Sequence, residues 1–252
     1  MWGVIPAAGE GKRIQPLAFS KELLPVGFHQ LDERKSPRAV SDFIVERMMI
    51  GGAGKICFVI SPNKADILRY YARGKIGGFF AYVVQPQPSG LCDAVFRAVE
   101  LIPENEQVLI GLPDTVWFPV DGFCYLPDNT LSLLLFPVGA PEQFDAVVLG
   151  SNDEVELIQV KQSAPASHWI WGAMKMSATT YRDLYELWVE REQKDEFLGT
   201  LINAWIRQGH LAYGVRKGSH YLDVGTVDGF HSAFSQLMAG HPLSGAPESV
   251  RE

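Results

Sequence analysis

The chain has 252 residues, of which 47% are hydrophobic and 20% charged, and its formal net charge is -7. This is the composition of a globular protein that can bury a sizeable core. The acidic balance argues against a broad basic face for DNA or RNA, although a few local cations can still hold a triphosphate.

Trp2 to Pro6 reads as a short buried strand, followed by a glycine-rich loop from Ala7 to Pro16. Ser36-Pro37 predicts a helix start, with Ser as N-cap and Pro in the first turn. Val40, Phe43, Ile44, Arg47 and Met48 continue at helical spacing until Gly51-Gly52. Lys55 to Ile60 predicts a strand, Ser61-Pro62 a second helix running to about Tyr71, and Phe79 to Val84 another strand. A helix over Leu91 to Leu101 and a strand over Gln107 to Leu112 follow. Such alternation predicts a mostly parallel sheet covered by helices, with ligands beyond the carboxyl ends of its strands.

The second half is less regular. Strands are expected at Leu131 to Phe136, Val155 to Val160, Trp169 to Met176, Leu211 to Val215 and Tyr221 to Val224. Helices are expected at Ser177 to Glu192, Phe197 to Gln208 and Val227 to Met238. With no internal repeat and no long linker, residues 1–239 read as one domain and 240–252 as a loosely ordered tail.

Cys57, Cys92 and Cys124 show no metal-binding spacing and read as reduced thiols in or near a core. The first residues lack the pattern of a secretory signal, and no run is apolar and long enough for a membrane helix. A soluble cytoplasmic protein is expected, with no nucleic-acid or membrane partner; homo-oligomerisation is left open. No GxSxG elbow supports acyl transfer.

Five segments carry candidate chemistry. The first is Gly9-Glu10-Gly11-Lys12-Arg13, where glycines let backbone N–H groups approach phosphate. It is neither a P-loop nor a dinucleotide fingerprint, since Ile14 stands where a third glycine belongs. Alone it is also compatible with an ordinary tight turn. The second is Gln85-Pro-Gln-Pro-Ser-Gly90-Leu91-Cys92-Asp93-Ala94, at a strand end. A Gln amide carries a donor and an acceptor, so it can match a complementary polar edge of a ligand. The third is Pro113-Asp114-Thr115 after an apolar strand, and the fourth Tyr221-Leu222-Asp223-Val224-Gly225-Thr226 before a helix. Carboxylates at such ends suit a hard cation. The fifth is Gln159-Val160-Lys161-Gln162. Asp93, Asp121 and Asp228 read as capping or surface residues.

Together these segments resemble the sugar-1-phosphate nucleotidyltransferases, especially the glucose-1-phosphate thymidylyltransferase and uridylyltransferase branches. The family pattern AAGxGxRxxPxxxxxxKxLLPV is similar to Ala7-Ala8-Gly9-Glu10-Gly11-Lys12-Arg13 through Pro16 and Lys21-Glu22-Leu23-Leu24-Pro25-Val26. The resemblance implies a Rossmann-like three-layer α/β fold with a mixed, mostly parallel central sheet. It implies a magnesium-dependent reaction of a pyrimidine nucleoside triphosphate (dTTP or UTP) with a sugar 1-phosphate. In this assignment Ala8, Gly9, Gly11, Gln85 and Gly90 bind the nucleotide. Arg13 holds the pyrophosphate, Lys21 the phosphates near the reacting centre, and Lys161 the sugar phosphate. Asp114 and Asp223 hold Mg2+, while Phe144, Asp145, Gln159 and Gly172 face the sugar. The sequence departs from the family at Pro113, Asp145, Gln159 and Gln162. Pro113, Asp145 and Gln159 would favour a non-catalytic nucleotide-sugar-binding homologue; an enzyme acting on a non-sugar phosphate is the other alternative left open.

Overall fold

The computed structural model describes residues 1–31, 34–73 and 77–238. The tail expected at 240–252 lies outside the described residues. Among the described residues, thirteen strands and six α-helices follow in chain order. They are β1 (Trp2–Pro6), β2 (Pro25–Leu31), β3 (Arg34–Ala39), α1 (Val40–Ile50), β4 (Lys55–Ile60), α2 (Ala65–Tyr71) and β5 (Phe79–Val84). Next come α3 (Gly90–Phe96), β6 (Gln107–Gly111), β7 (Thr115–Phe118), β8 (Leu131–Pro137), β9 (Asp145–Leu149), β10 (Val155–Val160) and β11 (Trp169–Ser177). The last are α4 (Ala178–Glu190), α5 (Leu198–Arg207), β12 (Ala212–Val215), β13 (His220–Asp223) and α6 (Val227–Met238).

The central sheet runs β10-β9-β11-β6-β1-β4-β5, with β8 on β11 and β12 on β8. The strands β6, β1, β4 and β5 are parallel, whereas β11 lies antiparallel to β6, β8 and β9. The mixed α/β architecture expected from the sequence is therefore present. Its two faces follow from the period-two alternation of strand side chains. Trp2, Val4, Cys57, Val59, Val108 and Ile110 point to one core, which α3, α4 and α5 cover. Ile5, Ile56, Phe58 and Leu109 point to the other, beneath α1 and α2. A third cluster, with Ile14, Leu24, Val26, Val116, Val224 and Ala233, joins the glycine loop to β7 and α6.

Several local expectations are corrected. Ser36 and Pro37 do not start a helix; they lie in β3, paired with His29 and Phe28 of β2. A two-stranded ribbon consists of edges, where proline is tolerated. Helix α1 begins at Val40, where the Asp42 carboxylate accepts from the Ala39 N–H. That carboxylate also meets His29 Nε2 and accepts from the hydroxyls of Tyr70 and Tyr71. The helix after Ser61-Pro62 starts only at Ala65, because Lys64 N–H closes a turn onto the Ser61 carbonyl. The helix from Gly90 ends at Phe96, with a separate 3-10 turn at Val99–Leu101. Cys57 and Cys92 are buried, but Cys124 is exposed. Among the described residues no helix is long and apolar enough to cross a membrane.

Candidate active site

The loop after β1, Gln85 after β5 and Asp114 after β6 all leave the carboxyl edge of the parallel strands. Asp114 leads into β7, which pairs antiparallel with β13 so that Asp223 sits opposite Thr115. The Val224 N–H donates to the Asp114 carbonyl at 2.8 Å, locking the two acidic segments side by side. Gly225 marks where their carboxylates meet. A β-carbon there would lie 2.9 Å from Asp223 Oδ1, 3.0 Å from Asp114 Oδ2 and 3.1 Å from an Arg13 guanidinium nitrogen. Two carboxylates from opposite halves of the chain thus face one small space. Pro113 does not disturb this turn, which the Thr115 hydroxyl closes by donating to the Leu112 carbonyl, without an N–H from residue 113.

Gly225→Ala would place a methyl group in that shared space without requiring an unusual backbone. Expected is a fall in kcat/KM of at least about a hundredfold, with a melting temperature within about 3 °C of the parent. Near-parental turnover in this variant would mean that the space is not used.

The glycine loop supplies the cations. Lys21 Nζ contacts Asp114 Oδ2 at 2.5 Å, and Arg13 contacts Asp223 Oδ2 at 3.3 Å. Burial alone would push the Asp114 carboxyl up; the Lys21 charge and hydrogen bond outweigh it and hold the group below its ordinary value. Burial would likewise lower Lys21, but Asp114 outweighs it and the ammonium is held above its ordinary value. Gly11 has φ of 67°, and a β-carbon on it would come 2.9 Å from Lys21 Cδ. Glycine therefore lets the loop cross directly over the lysine stem.

Two residues that support this loop were not singled out from the sequence. Glu22 is fully buried and pairs with Lys64 Nζ at 2.6 Å; the same ammonium donates to the Ala7 carbonyl at 2.7 Å. They staple the start of the loop at Ala7 to its far side beside Lys21. Glu22 follows Lys21 in the sequence and gave no sign there of being buried, and Lys64 gave none.

Gln85 is buried, and its Nε2 donates to Asp93 Oδ2 at 2.6 Å and to the Gly90 carbonyl at 3.2 Å. Asp93 is thus an internal residue, correcting its assignment as a cap or surface group. Gly90 has φ of 91°, and a β-carbon on it would strike the Glu196 backbone at 2.9 Å. Leu91 and Cys92 both donate their N–H groups to the Glu196 carbonyl. The local need for glycine is this close approach.

In the other half, Lys161 has φ of 49°, lies 3.9 Å from Asp145 Oδ1 and donates to the Gln143 carbonyl at 3.0 Å. Burial raises the Asp145 carboxyl above its ordinary value, and Lys161 opposes this only in part. Asp145 Oδ1 is buried without a hydrogen-bond partner among the described residues. Gln159 spends its amide locally, donating to Gln162 and accepting from the Ala166 N–H. Gly172 makes room for Phe136 and Tyr221, whose ring atoms would lie 2.6 Å from a β-carbon there. Phe144 packs edge-on against Tyr221, and both line a cavity of about 390 Å³ that reaches Asp223, Thr226 and Asp228.

Asp114 and Asp223 offer hard oxygen donors suited to Mg2+. Among the described residues no group of three or more His, Cys, Asp or Glu side chains is placed to hold a metal. An ion between these two carboxylates would complete its shell with water and substrate oxygens, as is usual for phosphate-handling sites.

Comparisons with known proteins bear on the family and the fold. The sequence profile of the nucleotidyl transferase family matches residues 2–240. A glucose-1-phosphate thymidylyltransferase from Neisseria meningitidis is 24% identical over 245 residues, covering 93% of this chain and 82% of its own length. A Bacillus anthracis protein described as a glucose-1-phosphate thymidylyltransferase, solved with sucrose, superposes with a TM-score of 0.77 at 20% identity, over 94% of this chain and 95% of its own. A UDP-glucose pyrophosphorylase bound to UDP-glucose gives 0.76 at 19% identity, over 94% and 98%. The chain belongs to the nucleotidyl transferase family.

Proposed function

We propose that this protein transfers a nucleotidyl group from a pyrimidine nucleoside triphosphate, UTP or dTTP, to a sugar 1-phosphate, releasing pyrophosphate. The observation that carries the proposal is the meeting of Asp114 and Asp223 opposite Lys21 and Arg13. Residues 1–239 act as the catalytic unit in this proposal, and a cytoplasmic location fits the triphosphate substrate.

The acceptor phosphate oxygen is already anionic, so attack on the α-phosphorus needs no strong general base. The barrier lies in bringing two polyanions together and spreading charge over the reacting and departing phosphates. Fixed cations and positioning supply most of what is needed. Mg2+ held by Asp114 and Asp223 would offset phosphate charge. Lys21, beside Asp114, would hold the phosphates next to the reacting centre. Arg13, more exposed, grips the pyrophosphate as it leaves. Ala8, Gly9 and Gly11 give the loop backbone close access to the triphosphate. Gln85 meets the base beside Gly90. Lys161 steers the sugar phosphate, and the cavity beside Phe144 and Asp223 receives the sugar. Asp145 brings a carboxylate to that side, whereas Gln159 and Gly172 contribute through loop closure and packing.

Pyrophosphate release should be measured for UTP, dTTP, CTP, ATP and GTP, each with several sugar 1-phosphates and Mg2+. Turnover with UTP or dTTP and at least one sugar 1-phosphate is expected. Release with none of them, or only with a non-sugar phosphate acceptor, would overturn the proposal.

A further inference from the structure

The side chain of Gln85 is not free to present both halves of its amide. Its two N–H groups are spent on Asp93 Oδ2 at 2.6 Å and on the Gly90 carbonyl at 3.2 Å. Turning the amide over would set its oxygen against the Asp93 carboxylate, acceptor against acceptor. Asp93 is itself held in place. Arg97 donates to both of its oxygens, through Nη2 at 2.8 Å and Nε at 3.3 Å. The Gly90 carbonyl is equally fixed, because the residue is pressed against the Glu196 backbone and followed by two N–H bonds to the Glu196 carbonyl. Gln85 is 2% exposed and Asp93 6%, so neither exchanges these partners readily for water. Among the described residues no donor reaches Gln85 Oε1.

We propose that Asp93 is a positioning residue that fixes the polarity of the Gln85 amide, so that the protein offers the base a single acceptor and excludes cytosine. This rests on Gln85 meeting the base, as proposed above. Uracil and thymine carry a hydrogen at N3 and satisfy Gln85 Oε1. Cytosine carries a lone pair at N3, which leaves two acceptors facing each other. A site built around one polar match rejects the analogue that lacks it, because its own buried group is then left unpaired. The 4-carbonyl of the accepted base is not matched by Gln85 in this arrangement and must be met by other groups or by water.

The test compares kcat/KM for UTP, dTTP and CTP in the parent, Asp93→Asn and Gln85→Ala proteins, with circular dichroism to check folding. The preferred uracil or thymine nucleotide should exceed CTP by at least about a hundredfold in the parent. In Asp93→Asn the new side chain can turn either face of its own amide toward Gln85. This variant should therefore lose at least about tenfold of that ratio, partly through a gain with CTP. A residue of merely structural importance would depress all nucleotides alike and leave the ratio intact. An unchanged ratio in folded Asp93→Asn would overturn the proposal. Should that variant not fold, Asp93→Ser, which also removes the fixed charge, gives the same comparison. An unchanged ratio in Gln85→Ala, or no discrimination in the parent, would instead remove Gln85 from base recognition.

Discussion

Asp114→Asn is expected to lower kcat by at least about a thousandfold while leaving the fold intact. Removing one well-placed electrostatic contact from such a centre typically costs ~10²–10³ in rate, and this residue makes two. Its carboxylate faces the space shared with Asp223, and it pairs with Lys21 at 2.5 Å. Asparagine keeps the shape and the backbone carbonyl that accepts from Val224, so the junction between β7 and β13 should hold. The measurement is pyrophosphate release under saturating nucleotide and Mg2+, with circular dichroism beside it. Activity within tenfold of the parent would remove Asp114 from the chemistry.

The largest stability effect is expected from Lys64→Met. Glu22 is fully buried, and Lys64 is its direct partner. Burial raises the Glu22 carboxyl, with Lys64 opposing that rise most strongly. Breaking a buried pair on one side leaves an uncompensated charge, at a cost of about 3–5 kcal/mol. The Ala7 carbonyl also loses its donor. Replacing both partners, as in Glu22→Met with Lys64→Met, removes the stranded charge and should recover much of the loss. Urea unfolding of the three proteins reads this directly. A loss below about 1 kcal/mol for Lys64→Met would show that the pair is solvated or replaceable. The single variant should also bind nucleoside triphosphate more weakly, since the loop from Ala7 to Lys21 would lose its staple.

The sequence exposed the parts of this molecule whose determinants are local. The strands at Trp2, Lys55 and Phe79 are apolar runs with clear ends, and the structure has them where they were expected. The sequence could single out Asp114, just after β6, and Asp223, at the end of β13, because each lies in a recognisable motif. What stayed hidden depends on partners far away in the chain. Ser36-Pro37 has good local chemistry for a helix start, yet pairing with β2 prevails and the helix waits for Asp42 to cap it. The ribbon of β7 and β13 joins segments about a hundred residues apart, and no periodicity announces it. Glu22 with Lys64, and Gln85 with Asp93, are polar contacts inside the fold that a linear pattern cannot pair. The same limit applies to Gln159 and Gly172. The family pattern points them at a sugar, while their visible contacts are with the Ala166 loop and with the rings of Phe136 and Tyr221.

The chemistry depends on the two acidic side chains working as one unit. The decisive measurement is a double-mutant cycle on kcat/KM with Asp114→Asn, Asp223→Asn and the combined variant. If both carboxylates serve a single cation, losing the second after the first should add little, and the double variant should be about as slow as the worse single one. Losses that multiply in full would mean that the two residues act independently, and a shared ion would have no place in the mechanism.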